Sequence, residues 1–228
     1  MIQSPDTSAP VIAIDGPGAS GKGTVSALVA NSLGWTMLDS GALYRVVAYA
    51  ALKDSVALDD TQNLEKIARN LDVRFESRNK DSETQVYLGS ENVTRAIRTE
   101  EAGNAASQVA AVPQVRDALL DRQRAFQQLP GLVADGRDMG TVVFPNARLK
   151  VFLTASAEER AKRRYKQLME KGLDVNLRDL FEEIAERDRR DSERATAPLK
   201  AADDAVLLDT TELTIQQVVN EILRLYSS

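Results

Sequence analysis

Cysteine and histidine are both absent from this sequence. Without cysteine there are no disulfides and no thiolate nucleophile, and without histidine the commonest general base and metal ligand are missing. Serine triads, cysteine proteases and histidine-bound zinc sites are therefore excluded. The lack of cysteine also fits a reducing compartment, and a cytoplasmic location is the expectation. No apolar run approaches bilayer-spanning length, and the N-terminal MIQSPDTSAP has neither a basic nor an apolar leader region, so no membrane partner is expected. Cations are outnumbered too: 29 Lys and Arg against 34 Asp and Glu leave a net charge of −5. A nucleic acid polymer, which draws its affinity from cations on phosphates, is argued against. Any anionic ligand must be met by positive charge concentrated locally.

A chain of 228 residues can bury a core of its own and suits one larger domain carrying insertions. VIAI at 11–14 is a continuous apolar stretch, the pattern of a strand covered on both faces of a parallel sheet. WTML at 35–38, LVA at 132–134, KVFLT at 150–154 and AVLL at 205–208 repeat it, with helical patterns between them. Val25, Leu28, Val29, Ser32 and Leu33 supply one of those patterns, and Ile215, Val218, Val219, Ile222 and Leu223 another. Strands alternating with helices predict a doubly wound α/β sheet. LDVRFE at 71–76 breaks the rhythm with a period of two, and VYL at 86–88 and ENVT at 91–94 follow it. Residues 69–95 read as a small antiparallel insert of two or three strands, because an isolated hairpin would be marginal.

Between the first strand and the first helix lies GPGASGKGT, residues 16–24. Gly16, Gly21 and Lys22 satisfy the G-x-x-x-x-G-K spacing, in the strand-then-helix context that gives this motif its meaning. The bare backbone of Gly16, Pro17, Gly18, Ala19, Ser20 and Gly21 can wrap its N–H groups around phosphate oxygens, and Lys22 can reach the β and γ phosphates. Gly23 stands where a Ser or Thr usually ligates Mg²⁺, with Thr24 one residue on. The metal is then held through waters and carboxylates, and Thr24 bonds a phosphate. A tight turn with an incidental lysine is the plainer alternative. NKDS at 79–82 approaches a guanine-specificity motif but has Ser82 where Asp is required, and reads as a turn.

With no histidine, a kinase acting on an alcohol has only carboxylates for its base. A monophosphate acceptor needs no base, since its second pKa is about 6. It needs cations instead, and Arg45, Arg116, Arg137, Arg187 and Arg194 are candidates, being planar, charged and bidentate toward phosphate.

LDSGALYR at 38–45, RTEEAGNAASQVAAVPQVR at 98–116, ADGRDMGTVVFP at 134–145 and ERDRRDSERATAPL at 186–199, together with GKGT, resemble bacterial cytidylate kinase, in order, from about residue 10 to the C-terminus. The resemblance implies one nucleoside monophosphate kinase domain over residues 1–228. Its core would be a P-loop NTPase-type parallel five-stranded sheet flanked by helices, about 10–60, 99–156 and 173–228. It further implies a monophosphate-binding insert at about 61–98 and a short helical lid at 157–172. The implied reaction is phosphorylation of CMP or dCMP by ATP with Mg²⁺, by an enzyme expected to be monomeric. The implied catalytic residues are Lys22, Asp135, Arg137 and Arg187. Ser40 and Arg45 would lie near the acceptor nucleotide, Ser107, Arg116 and Asp138 would frame the cytosine, Arg187, Asp191 and Arg194 would serve the ribose and phosphate, and Arg137 would also contact the substrate.

Asp135, closing a strand, stands where a carboxylate would face Mg²⁺, although ADGRD could also be a turn. Ser107 could be a helix-packing residue, and Arg187, Asp191 and Arg194 a solvated ion-pair ladder. Within 157–172, Glu158 with Lys162 and Glu159 with Arg163 are i,i+4 pairs, whereas Arg160 and Arg164 share a face with no obvious partner and are candidates to approach the ATP phosphates. Two rival readings remain at this stage: a kinase for UMP or another small acceptor, and a nucleotide-dependent regulatory module on the same scaffold.

Overall fold

The computed structural model describes residues 9–76, 84–170, 172 and 175–228. The segment 1–8 and the NKDS motif lie outside the described residues. The main sheet has five parallel strands, β1 (Val11–Asp15), β2 (Thr36–Asp39), β6 (Leu132–Gly136), β7 (Leu149–Thr154) and β8 (Val206–Asp209), in the order β2-β6-β1-β7-β8. The three-stranded antiparallel insert is β3 (Val73–Glu76), β4 (Gln85–Leu88) and β5 (Glu91–Asn92). The helices are α1 (Lys22–Leu33), α2 (Ser40–Lys53), α3 (Thr61–Arg69), α4 (Glu100–Val109), α5 (Pro113–Arg124), α6 (Ala157–Glu170), α7 (Leu177–Glu193) and α8 (Ile215–Ser227).

Alternate residues of the buried strands face opposite layers. Val11, Ala13, Leu132 and Ala134 pack with Leu43, Val47, Val115 and Leu119 of α2 and α5, while Ile12, Ile14, Val133 and Val151 pack with Val25 and Val29 of α1 and Val218 and Ile222 of α8. Two covered faces explain why VIAI reads as an unbroken apolar run. Each large side chain so removed from water contributes about 2 kcal/mol. Val86 and Val93 of the insert join the α2/α5 layer, so the insert has no separate core. Leu28 departs from the helical pattern expected of α1. It is 37% exposed, because the arc Lys22, Val25, Ser26, Val29 and Ala30 turns inward and leaves Leu28 beyond its edge.

The carboxyl ends of β1 and β6 are neighbours, with Asp15 opposite Gly136, and Asp39 of β2 lies opposite Asp135. The glycine loop and the segment after β6 therefore leave the sheet at one edge, the edge where open α/β sheets bind ligands.

Candidate active site

The glycine loop is shaped by positions that tolerate no side chain or invert the backbone. A Cβ on Gly16 would lie 2.0 Å from the Leu153 carbonyl oxygen, and its φ is +145°. Gly21, the residue before α1, has φ +88° and supplies no side-chain cap. By contrast α2, α3, α4, α7 and α8 each begin with a capping side chain: Asp39, Asp60, Thr99, Asn176 and Thr214. The first turn of α1 thus keeps its N–H groups for an anion. Lys22 is buried, and its Nζ donates to the Pro17 carbonyl at 2.8 Å and to Ser20 Oγ at 3.4 Å, which holds it across the loop. Burial, and then Arg137 nearby, lower its pKa, and burial raises that of Asp135. An arriving polyphosphate would favour the charged form of Lys22.

Asp135 is buried at the end of β6, and a Cβ on Gly23 would lie 3.5 Å from its Oδ2. Gly23 and Thr24 are exposed, open to a ligand. Among the described residues no group of three or more carboxylates could hold a metal by itself.

Facing the loop is a set of side chains delivered by five other elements. Asp191 of α7 accepts from Ser107 Oγ of α4 at 2.8 Å and from Arg137 Nε at 3.0 Å. Arg116 of α5 pairs with Asp138, both buried; it also donates to the Ala110 carbonyl at 3.2 Å and lies 5.6 Å from the centre of the Tyr44 ring. Ser40, buried, opens α2, and Arg45 on the same helix donates to the Ile97 carbonyl at 2.8 Å. Arg194 Nε donates to the Ala197 carbonyl at 2.6 Å, while its Nη2 is buried without a partner. Arg187 Nε is likewise buried and unpartnered. Burial, then Arg137 and Arg45, push the Arg187 pKa down to about 10. Such crowding of like charge is unfavourable unless an anion joins it.

The two sides meet. A Cβ on Gly18 would lie 3.6 Å from Arg137 Nη2 and 3.9 Å from Arg187 Nη1. The ladder reading of Arg187, Asp191 and Arg194 does not describe this face of α7: Asp191 is 3% exposed and takes its partners from other elements. The tight-turn reading of the glycine loop leaves the buried Lys22 and the uncapped α1 without an explanation.

The pair expected to lack partners has them, from elsewhere in the fold. Arg160 donates to the Ala155 and Gly18 carbonyls, each at 3.1 Å, and pairs with Asp188 of α7 at 2.5 Å; Arg164 pairs with Glu100 of α4 and bonds Gln167. Of the pairs expected within α6, Glu159 with Arg163 forms at 2.9 Å. Sequence reading passed over Gly103 in α4, where a Cβ would lie 3.1 Å from Arg187 Nη1 and 3.3 Å from Arg45 Nη2. The available signal was a glycine in a helix interior, which costs about 1 kcal/mol relative to alanine and asks for a reason. Asp15 and Tyr44 were passed over as well.

A phosphate-binding loop on a parallel sheet, opposed by guanidinium groups that lack enough carboxylates of their own, defines a P-loop phosphotransferase with an anionic acceptor. Comparison with known proteins narrows the class. The chain belongs to the cytidylate kinase family, whose model, Cytidylate kinase, matches residues 12–228. It is 60% identical to a cytidylate kinase of Pseudomonas aeruginosa over 215 residues, 94% of each chain. It is 61% identical to those of Pseudomonas syringae pv. tomato over 215 residues, 94% of each chain, and of Aeromonas salmonicida over 216 residues, 94% of this chain and 93% of that one.

Proposed function

We propose that this protein transfers the γ-phosphoryl group of ATP in line to the 5′-phosphate of CMP or dCMP, giving the diphosphate and ADP. The observation that carries the reading is the approach of Arg137 and Arg187 to Gly18, which puts Arg137, held by Asp191, and Arg187, whose Nε is unpartnered, against the glycine loop. Two polyanions repel one another, and fixed guanidinium groups at their junction offset that repulsion and neutralise charge in the transition state. Lys22 and the amides of residues 16–24 hold the donor, with Thr24 on a phosphate. Arg137, Arg187 and Arg194 hold the acceptor phosphate and ribose, together with Asp191 and Arg45. No base is required, because a monophosphate oxygen is already largely ionised at pH 7.

Ser107 and the Arg116–Asp138 pair recognise cytosine, with Ser40 near the acceptor nucleotide. Its N4 amino group is a donor beside the N3 and O2 acceptors, so a carboxylate or hydroxyl set next to an arginine distinguishes it from uracil, which would leave a buried group unpaired. Asp135 suits Mg²⁺, a hard cation that keeps waters and takes one or two carboxylates along with substrate phosphates. When bound, Mg²⁺ neutralises charge on the β and γ phosphates. We assign residues 61–98 to the monophosphate-binding region and 157–172 to a lid, in which Arg160 and Arg164 exchange their present partners for ATP phosphates on closure. A monomer is part of the proposal, and the lack of cysteine suits the cytoplasm. Among the described residues no helix is long and apolar enough to cross a membrane.

The test is ADP release measured with CMP, dCMP, UMP, AMP and shikimate-like alcohols as acceptors. Preference for CMP or dCMP is expected; a clear preference for any other acceptor, or hydrolysis of ATP independent of all of them, overturns the proposal.

A further inference from the structure

Asp15 is a buried carboxylate that the reaction just described does not use. It closes β1, one residue before the glycine loop, and is 5% exposed. One of its oxygens accepts the backbone N–H of Met139 and the other that of Gly140, each at 2.8 Å. Burial pushes its carboxyl up to about 6, while the Gly140 and Met139 amides oppose the rise, so at pH 7 it is mostly ionised.

Those two amides open the π-helical turn Met139–Val143, and the residue before it, Asp138, makes no capping hydrogen bond to it. The first N–H groups of any helical turn need acceptors, and an Asp directly before the turn is the usual one. Asp138 is instead turned away, paired with Arg116. A Cβ on Gly140 would lie 3.2 Å from the Lys150 side chain and 3.4 Å from Asp15 Oδ2, so the close approach of turn and strand leaves little room there.

We infer that Asp15 is a positioning residue: by capping the Met139–Val143 turn from another strand it releases the Asp138 carboxylate to face Arg116, and so sets recognition of the acceptor base. The inference rests on the proposed cytosine reading. If that reading is wrong, the unaltered protein shows no preference for CMP over UMP, before any variant is made.

In Asp15→Asn one charged acceptor is lost and Asp138 is drawn into the vacated capping role. KM for CMP should rise about tenfold and the CMP-over-UMP ratio of kcat/KM should fall by a similar factor, while KM for ATP stays within about twofold. In an Asp138→Asn background the same change should leave the CMP-over-UMP ratio unaltered, since the effect runs through Asp138. An unchanged CMP preference in the single variant, or a rise in KM for ATP as large as that for CMP, overturns the inference; the latter would make Asp15 a support of the glycine loop. Should Asp15→Asn fail to fold, amide hydrogen exchange of the unaltered protein decides: slow exchange at Met139 and Gly140 upholds the capping, and exchange as fast as in exposed loops overturns it.

Discussion

The proposed donor and acceptor halves of the site are built in opposite ways. Apart from the lid arginines and Asp135, the donor half is one contiguous stretch, residues 16–24, and its working groups are mostly backbone amides left free by an uncapped helix, with one buried lysine. The acceptor half comes from α2, α4, α5, the segment after β6 and α7, and its working groups are side chains locked to one another, as Asp191 is to Ser107 and Arg137. Both are proposed to bind phosphate, the first through local chain geometry and the second through long-range packing. The donor half should therefore tolerate changes elsewhere in the fold, and the acceptor half should transmit them.

The contrast can be broken most severely at Lys22. Lys22→Ala should lower kcat by about a hundredfold or more with the fold and CMP binding retained, the scale of a lost transition-state contact; rates measured at saturating CMP decide this, and an unaltered rate removes Lys22 from the reaction. Next in size is Arg187→Met, for which kcat/KM for CMP should fall by about a hundredfold. Urea unfolding of that variant should show stability equal to or above that of the parent, because Arg187 forms no ion pair among the described residues and repulsion with Arg137 and Arg45 is relieved. Lost stability with full turnover would instead make the cluster structural.

Ser107→Ala sharpens the comparison further. It removes one of the two hydrogen bonds that orient Asp191, and kcat/KM for CMP should drop about tenfold with KM for ATP unchanged. An equal loss for ATP would mean that the two halves are not separable. The smallest effect is expected at Gly103. Gly103→Ala should raise stability by up to about 1 kcal/mol through helix propensity. The new Cβ would stand 3.1 Å from Arg187 Nη1 and 3.3 Å from Arg45 Nη2 and crowd both guanidinium groups, so KM for CMP should rise by a few-fold, seen in steady-state kinetics alongside the unfolding curve.

Periodicity made the strands legible because a strand buried on both faces has to be apolar throughout, as Val11 to Ile14 are. It misplaced Leu28 because helical spacing defines an arc without saying where that arc meets the sheet. The glycine loop could be read whole, since its geometry is a property of neighbouring residues. Arg160 and Arg164 could not be placed, because their partners Asp188 and Glu100 are remote in the chain. Asp15 went unread for the same reason: nothing near it in sequence says that it will cap a turn at Met139.

The alternation of strands and helices along the chain, the glycine loop with its lysine, and the lack of any histidine base could be read from the sequence alone, since each depends on residues within a few positions or on composition. Which arginine is neutralised and which stays unpartnered was decided only by tertiary structure. Charge balance in a buried site depends on distances between elements far apart in the chain, and Asp191 could join Ser107 and Arg137 only after α4, α7 and the end of β6 had packed together.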